Sequence, residues 1–150
     1  VGVEDKALVK AYSDDFFAEI VYKKKTMPHA VEALEYLSSK YNLYILSNGF
    51  RELQEQKMRS AGVDKYFKKV VLSEDIGVHK PFPEIFYFAM SATQSELHTS
   101  LMIGDNWEND IAGAKDAGLG QVFYNVKKTT KFSFQPTGII EDWNEIGKIL

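Results

Sequence analysis

Apolar and polar positions fall in blocks along this 150-residue chain, and the spacing changes from block to block. Between Glu4 and Lys25 the apolar residues are Leu8, Val9, Tyr12, Phe16, Phe17, Ile20 and Val21. They recur at helical spacing, and Ser13-Asp14-Asp15 leaves open one bent helix or two short ones. The aromatic stripe Tyr12, Phe16 and Phe17 predicts a core or domain contact. Pro28 suits the first turn of a second helix, whose apolar face is Val31, Leu34, Leu37 and Tyr41. Leu43 to Leu46 is apolar at consecutive positions, the pattern of a strand covered on both sides. A polar-rich helix, Arg51 to Ala61, ends at Gly62. Val70-Val71-Leu72 predicts a second strand, and Pro83 opens a helix carrying Ile85, Phe86, Phe88, Ala89 and Met90. Leu101-Met102-Ile103 predicts a third strand, followed by a small-residue helix from Asp110 to Gly118. Gln121 to Tyr124 is a fourth strand and Ile139-Ile140 a short edge strand. Asn125 to Gly138 reads as a polar loop without periodicity, and Asp142 to Leu150 as a terminal helix. Strands alternating with helices predict an α/β fold, a doubly wound three-layer parallel sheet with right-handed crossovers.

Composition narrows the chemistry. The chain is 45% hydrophobic and 26% charged, ordinary for one globular domain. A net charge of −3 with scattered Lys and Arg argues against a nucleic-acid partner. No run is long and apolar enough to span a bilayer, so no membrane partner is expected. The absence of cysteine excludes disulfides, thiolate metal sites and a Cys nucleophile. It fits a reducing setting, and the cytoplasm is the expected location.

In open parallel sheets, ligands bind beyond the carboxyl ends of the strands. Three such ends carry polar residues. Ser47-Asn48-Gly49 follows the first strand, and a hydroxyl beside loop N–H groups can cradle phosphate oxygens. Lys80-Pro81 follows the second, and Lys80 can neutralise a phosphate and clamp a carboxylate. Asp105 and Asp110 follow the third. Two converging carboxylates suit a hard cation such as Mg²⁺, which takes oxygen ligands. Taken singly, the first is better read as a plain turn and the second as an ordinary surface lysine. Trp107 within the acidic loop is read as a packing residue. Glu74 and Asp75 stand where they can hydrogen-bond the lysine loop. His29, His79 and His98 lack metal-ligand spacing.

LSNG, HKP and GDNWENDIAGAKDAG, each behind an apolar strand and in this order, resemble motifs II, III and IV of the haloacid dehalogenase-like (HAD) hydrolase superfamily. The resemblance covers Pro28 to Tyr124. The segment from Leu46 to Met90 looks closest to small-cap HAD phosphatases that act as pyrimidine 5′-nucleotidases. It implies a Rossmann-like HAD core over residues 27–150 and the C-terminal part of a helical cap over residues 1–26. It implies a Mg²⁺-dependent phosphomonoesterase acting on a small-molecule phosphate ester, with a nucleoside 5′-monophosphate as one possibility. Carried over, Ser47 would hydrogen-bond the transferring phosphoryl group beside Asn48 and Gly49. Lys80 would offset charge, Asp105 would ligate Mg²⁺, and Asp110 would support that site.

Motif I of the family, a DxD whose first Asp is the nucleophile, has no counterpart, since no two aspartates stand two apart. The chain is therefore expected to need an N-terminal part of its own polypeptide, carrying the sheet's first strand, and to be inactive alone. Two other readings stand beside this one. A 2-haloacid dehalogenase would share the serine and lysine but lack the aspartate pair, and a non-catalytic binding module would have lost motif I.

Overall fold

The computed structural model describes residues 5–21 and 23–150. Consecutive apolar residues and β-branched positions build five strands, all paired in parallel: β1 (Leu43–Ser47), β2 (Phe67–Leu72), β3 (Leu101–Gly104), β4 (Gly120–Tyr124) and β5 (Gly138–Ile140). Five helices join or flank them: α1 (Lys6–Val21), α2 (Ala30–Ser38), α3 (Arg51–Ala61), α4 (Pro83–Thr93) and α5 (Gly113–Asp116). The boundaries follow local chemistry. Gly62 closes α3 in the left-handed region at φ 68°, where a side chain would be strained. Pro83 opens α4, where its missing N–H costs nothing.

The predicted doubly wound arrangement is present, but its strands form two hydrogen-bonded sets, β1–β2 and β3–β4–β5. The sets share their helical cover. Leu43 of β1 and Leu101 and Ile103 of β3 pack on one cluster with Ala33, Leu37, Val122, Ile140 and Ile146. Leu46 of β1 and Met102 of β3 pack on the opposite cluster with Ile85, Phe86, Ala114 and Leu119. Among the described residues, β1 and β3 each have one strand partner. This corrects the expectation that the first strand is covered throughout. Every residue of β1 and β3 is half-buried, whereas Gln121 to Tyr124 in β4, with a partner on each side, are fully buried. A parallel strand is shielded only when both its edges and both its faces are occupied.

Other expectations change in detail. α1 is one continuous helix that touches α3. Tyr12 and Phe16 are 69% and 60% exposed, so their stripe forms no core among the described residues. Val1 to Glu4, and the side chains of Ser13, Asp14, Phe17, Ile20 and Val21, lie outside the described residues. α2 begins after His29 and stops at Ser38, which leaves Tyr41 exposed. The small-residue helix starts earlier than predicted, as a π-helical turn over Trp107–Ala112 that runs into α5. The terminal segment Trp143–Lys148 is a 3₁₀-helix. The Asp142 side chain accepts from the Asn144 amide, and Glu145 Oε2 accepts from the Glu141 and Asp142 amides. No helix of the described residues is long and apolar enough to cross a membrane.

Glu74 and Asp75 serve α3, not the lysine loop. Glu74 Oε1 accepts from the Arg51 amide at 3.0 Å, and Asp75 takes the Arg51 guanidinium and, at 2.9 Å, the Leu72 amide. The Leu72 amide, seconded by Arg51, holds the Asp75 carboxyl below its ordinary value of 3.8. A depressed folded value means that the stabilisation is present above the unfolded value and is lost as pH falls through the folded one. Asp75→Asn should therefore lose less stability than the parent between pH 7 and pH 3, measured by urea unfolding at both pH values. Equal losses would contradict this role.

Candidate active site

The site is built where β1, β2 and β3 end. Lys80 holds it together. Its Nζ donates to Asp110 Oδ1 at 2.6 Å and to the Leu46 carbonyl of β1 at 3.0 Å. The Lys80 and Asp110 side chains are 10% and 7% exposed. An ammonium so placed survives burial because a carboxylate and a carbonyl replace its water, and its third N–H remains for a ligand.

Asp110 reaches this position through the π-helical turn. The Asn106 carbonyl accepts from the Asp110 amide at 2.9 Å and from the Ile111 amide at 3.4 Å. The wider turn directs the Asp110 side chain back toward the strand end, where Oδ2 accepts from the Asn106 amide at 3.0 Å. Gly104 makes the approach possible, because a Cβ there would overlap the Asp110 carboxylate.

Ser47 ends β1. Its Oγ accepts from the Gly49 amide and from Gln54 Nε2, both at 3.0 Å. Two acceptor bonds fill the hydroxyl's lone pairs and leave its proton to donate outward. The Gly49 amide, expected to face a phosphate, turns instead to Ser47. Asn48 ties two loops together: Nδ2 donates to the Lys80 carbonyl at 3.0 Å, and Oδ1 accepts from the Lys80 amide at 2.8 Å. The peptide bond between Lys80 and Pro81 is cis. Gln54 carries no chemical signature in the sequence; its signal is positional only, one turn into the helix that follows Ser47.

Asp105 differs from the others. It is exposed, and among the described residues its carboxylate makes no hydrogen bond or ion pair. An unengaged carboxylate at a strand end, next to one already committed to a lysine, is a suitable hard-oxygen ligand for Mg²⁺. Among the described residues no three His, Cys, Asp or Glu side chains form a metal cluster. The other ligands of such a cation would be water, backbone oxygen, substrate oxygen or groups outside these residues. The histidines stand elsewhere: His29 pairs with Asp142 at 2.7 Å, His98 with Glu96 at 3.2 Å, and His79 is exposed. A cavity of about 690 Å³ lined by Arg51, Met58, Phe67, Val71 and Phe88 opens beside β2, and Ser47, Lys80 and Asp105 do not line it.

Comparison with known proteins identifies the family. The sequence pattern of the haloacid dehalogenase-like hydrolases matches residues 2–118, and the chain belongs to that family. It is 35% identical over 118 residues to the pyrimidine 5′-nucleotidase YjjG of Escherichia coli K12, covering 78% of this chain and 51% of that protein. The chain thus spans about half the length of that relative. The crystal structure of the HAD-hydrolase YfnB of Bacillus subtilis bound to magnesium superimposes with a TM-score of 0.84 at 27% identity, over 95% of this chain and 67% of that one. A 2-haloacid dehalogenase from Pseudomonas syringae superimposes with a TM-score of 0.78 at 23% identity, over 97% of this chain and 63% of that one, a likeness of fold alone.

The buried pair gives a stability test. Asp110→Ala removes the acceptor of both the Lys80 ammonium and the Asn106 amide, and should cost about 3–5 kcal/mol in urea unfolding. Asp110→Asn, which keeps the amide bond, should cost less. A loss below about 1 kcal/mol in Asp110→Ala would mean that the pair is not closed in solution.

Proposed function

We propose that the complete polypeptide is a Mg²⁺-dependent phosphomonoesterase of small phosphorylated metabolites, with nucleoside 5′-monophosphates as the first substrates to test. The observation that carries this is the division of labour at the site. Lys80 is neutralised on one side by Asp110 and has an N–H left, Ser47 has its hydroxyl proton left, and Asp105 has its whole carboxylate left. A phosphoryl group needs these three things: a cation near its equatorial oxygens, a positioned donor and a hard-metal ligand. Lys80 would bind and neutralise a phosphate oxygen. Ser47 would orient a second oxygen, with Gln54 and the Gly49 amide fixing the direction of its O–H. Asp105, supported by Asp110 through the Asn106 amide, would hold Mg²⁺, whose charge further stabilises the phosphoryl oxygens. The nucleotidase name of the Escherichia coli relative supports the substrate class.

The nucleophile comes from elsewhere. Lys80 already binds Asp110, and Asp105 is assigned to the cation. The half-buried, singly partnered strands β1 and β3 support a reading in which a further parallel strand of the same polypeptide lies between them and carries the attacking carboxylate. Residues 1–26, including α1 with its exposed Tyr12 and Phe16, then fit as part of a cap over the site. A 2-haloacid dehalogenase would use a similar serine and lysine; the unengaged Asp105 favours the phosphatase.

In the complete polypeptide, Asp105→Ala should abolish most Mg²⁺-dependent hydrolysis of nucleoside 5′-monophosphates. The check is phosphate release with and without a chelator. Full activity in that variant would remove the metal assignment. Turnover that survives the chelator would favour the dehalogenase reading.

A further inference from the structure

Trp107 stands two residues after Asp105 and three before Asp110, and it is held by rings. Its centroid lies 5.3 Å from that of Phe123, near perpendicular at 82°. It lies 4.9 Å from Phe132 and 4.8 Å from Phe134, tilted by 33° and 39°. Phe123 meets Phe132 edge-on at 5.9 Å, and Lys115 Nζ sits 4.5 Å from the Phe134 ring centre. Such aromatic pairs contribute about 0.5–1.5 kcal/mol each beyond burial. Trp107, Phe132 and Phe134 belong to neither core cluster of the sheet. They form a separate group at the carboxyl end of β3 and β4, where Phe123 lies opposite Gly104 in the strand register.

The segment that delivers Phe132 and Phe134 is itself fastened. Asn125 exchanges two hydrogen bonds with Thr129, both at 2.9 Å, and Thr137 Oγ1 accepts from the Gln121 amide at 3.0 Å. The acidic turn is therefore held on two sides. Inside, Asn106 binds Asp110 and, through Oδ1, the Asn109 amide at 2.8 Å. Outside, Trp107 is locked into the ring group. The Asp105 carboxylate has no bond of its own among the described residues, so its place is set by β3 before it and by the turn after it, which Asn106 holds from inside and Trp107 from outside.

We propose that Trp107 is a positioning residue for the cation ligand: the clamp of Phe123, Phe132 and Phe134 fixes the turn so that Asp105 is presented to Mg²⁺ already in place. This rests on the Mg²⁺ reading of Asp105. In the complete polypeptide, Trp107→Leu should raise the Mg²⁺ concentration for half-maximal activity by about 10–100-fold, as loss of an outer support of a metal ligand does. The midpoint of Mg²⁺-dependent thermal stabilisation should rise by the same factor, a readout that needs no turnover. Trp107→Phe should restore most of the affinity. Phe134→Leu, which trims one wall of the clamp, should shift both midpoints in the same direction and replaces Trp107→Leu if that variant does not fold. A half-saturation within about twofold of the parent, with Tm lowered equally at every Mg²⁺ concentration, would overturn the inference. Asp105→Asn separates the two levels. If Asp105→Asn leaves the Mg²⁺ dependence unchanged, the metal reading fails; if only the clamp variants leave it unchanged, the clamp fails.

Discussion

The buried ammonium of Lys80 is the constraint on which the site depends. A charge at that depth must be matched, and two groups from two parts of the chain do so, while a third fixes the backbone that carries it. Leu46 offers a carbonyl from the end of β1, Asp110 a carboxylate from the turn after β3, and Asn48 fixes the Lys80 backbone. The same contacts bring β1's serine and β3's aspartates to one place. Chemistry and architecture therefore share one interaction, and loosening it would separate Ser47 from Asp105 while leaving an uncompensated charge.

Around that tie, the structure has a core on both faces and an incomplete middle. Helices α2 and α4, with the 3₁₀ segment at Trp143–Lys148, cover strands of both sets, yet β1 and β3 do not pair in a single continuous sheet. Parallel strands are stable only when covered, and a pair of such edges invites another strand. The match to about half of a longer relative fits the same picture. The site residues stand at the ends of β1 and β3, one strand from each set.

Much of this was legible in the sequence because strands covered on both faces are written as unbroken apolar runs. LYIL, VVL, LMI and QVFY each became a strand, and Asn48 and Asp110, just beyond β1 and β3, meet Lys80 of the loop that follows β2. The tripeptide Ser47-Asn48-Gly49 was ambiguous alone, since a turn and a phosphate cradle use the same residues. What escaped had long-range or geometric causes. Whether β1 is buried depends on a partner for its second edge, which no local pattern encodes. The π-helical turn arises from how Asp110 folds back over Gly104, and its helical signal looked ordinary. Phe132 and Phe134 alternate with exposed Lys131, Ser133 and Gln135, a period-two signal concealed by the polar company of that loop. Gln54 shows no signature except its distance from Ser47.

The most direct measurement is a crystal structure of the complete polypeptide with Mn²⁺ in place of Mg²⁺ and orthovanadate in place of the phosphoryl group. An anomalous peak against the Asp105 carboxylate is expected, with vanadate oxygens on Ser47 Oγ and Lys80 Nζ. A cation bound away from Asp105, or vanadate bound without Ser47 and Lys80, would contradict the assignment of this strand-end cluster as a phosphoryl-transfer site.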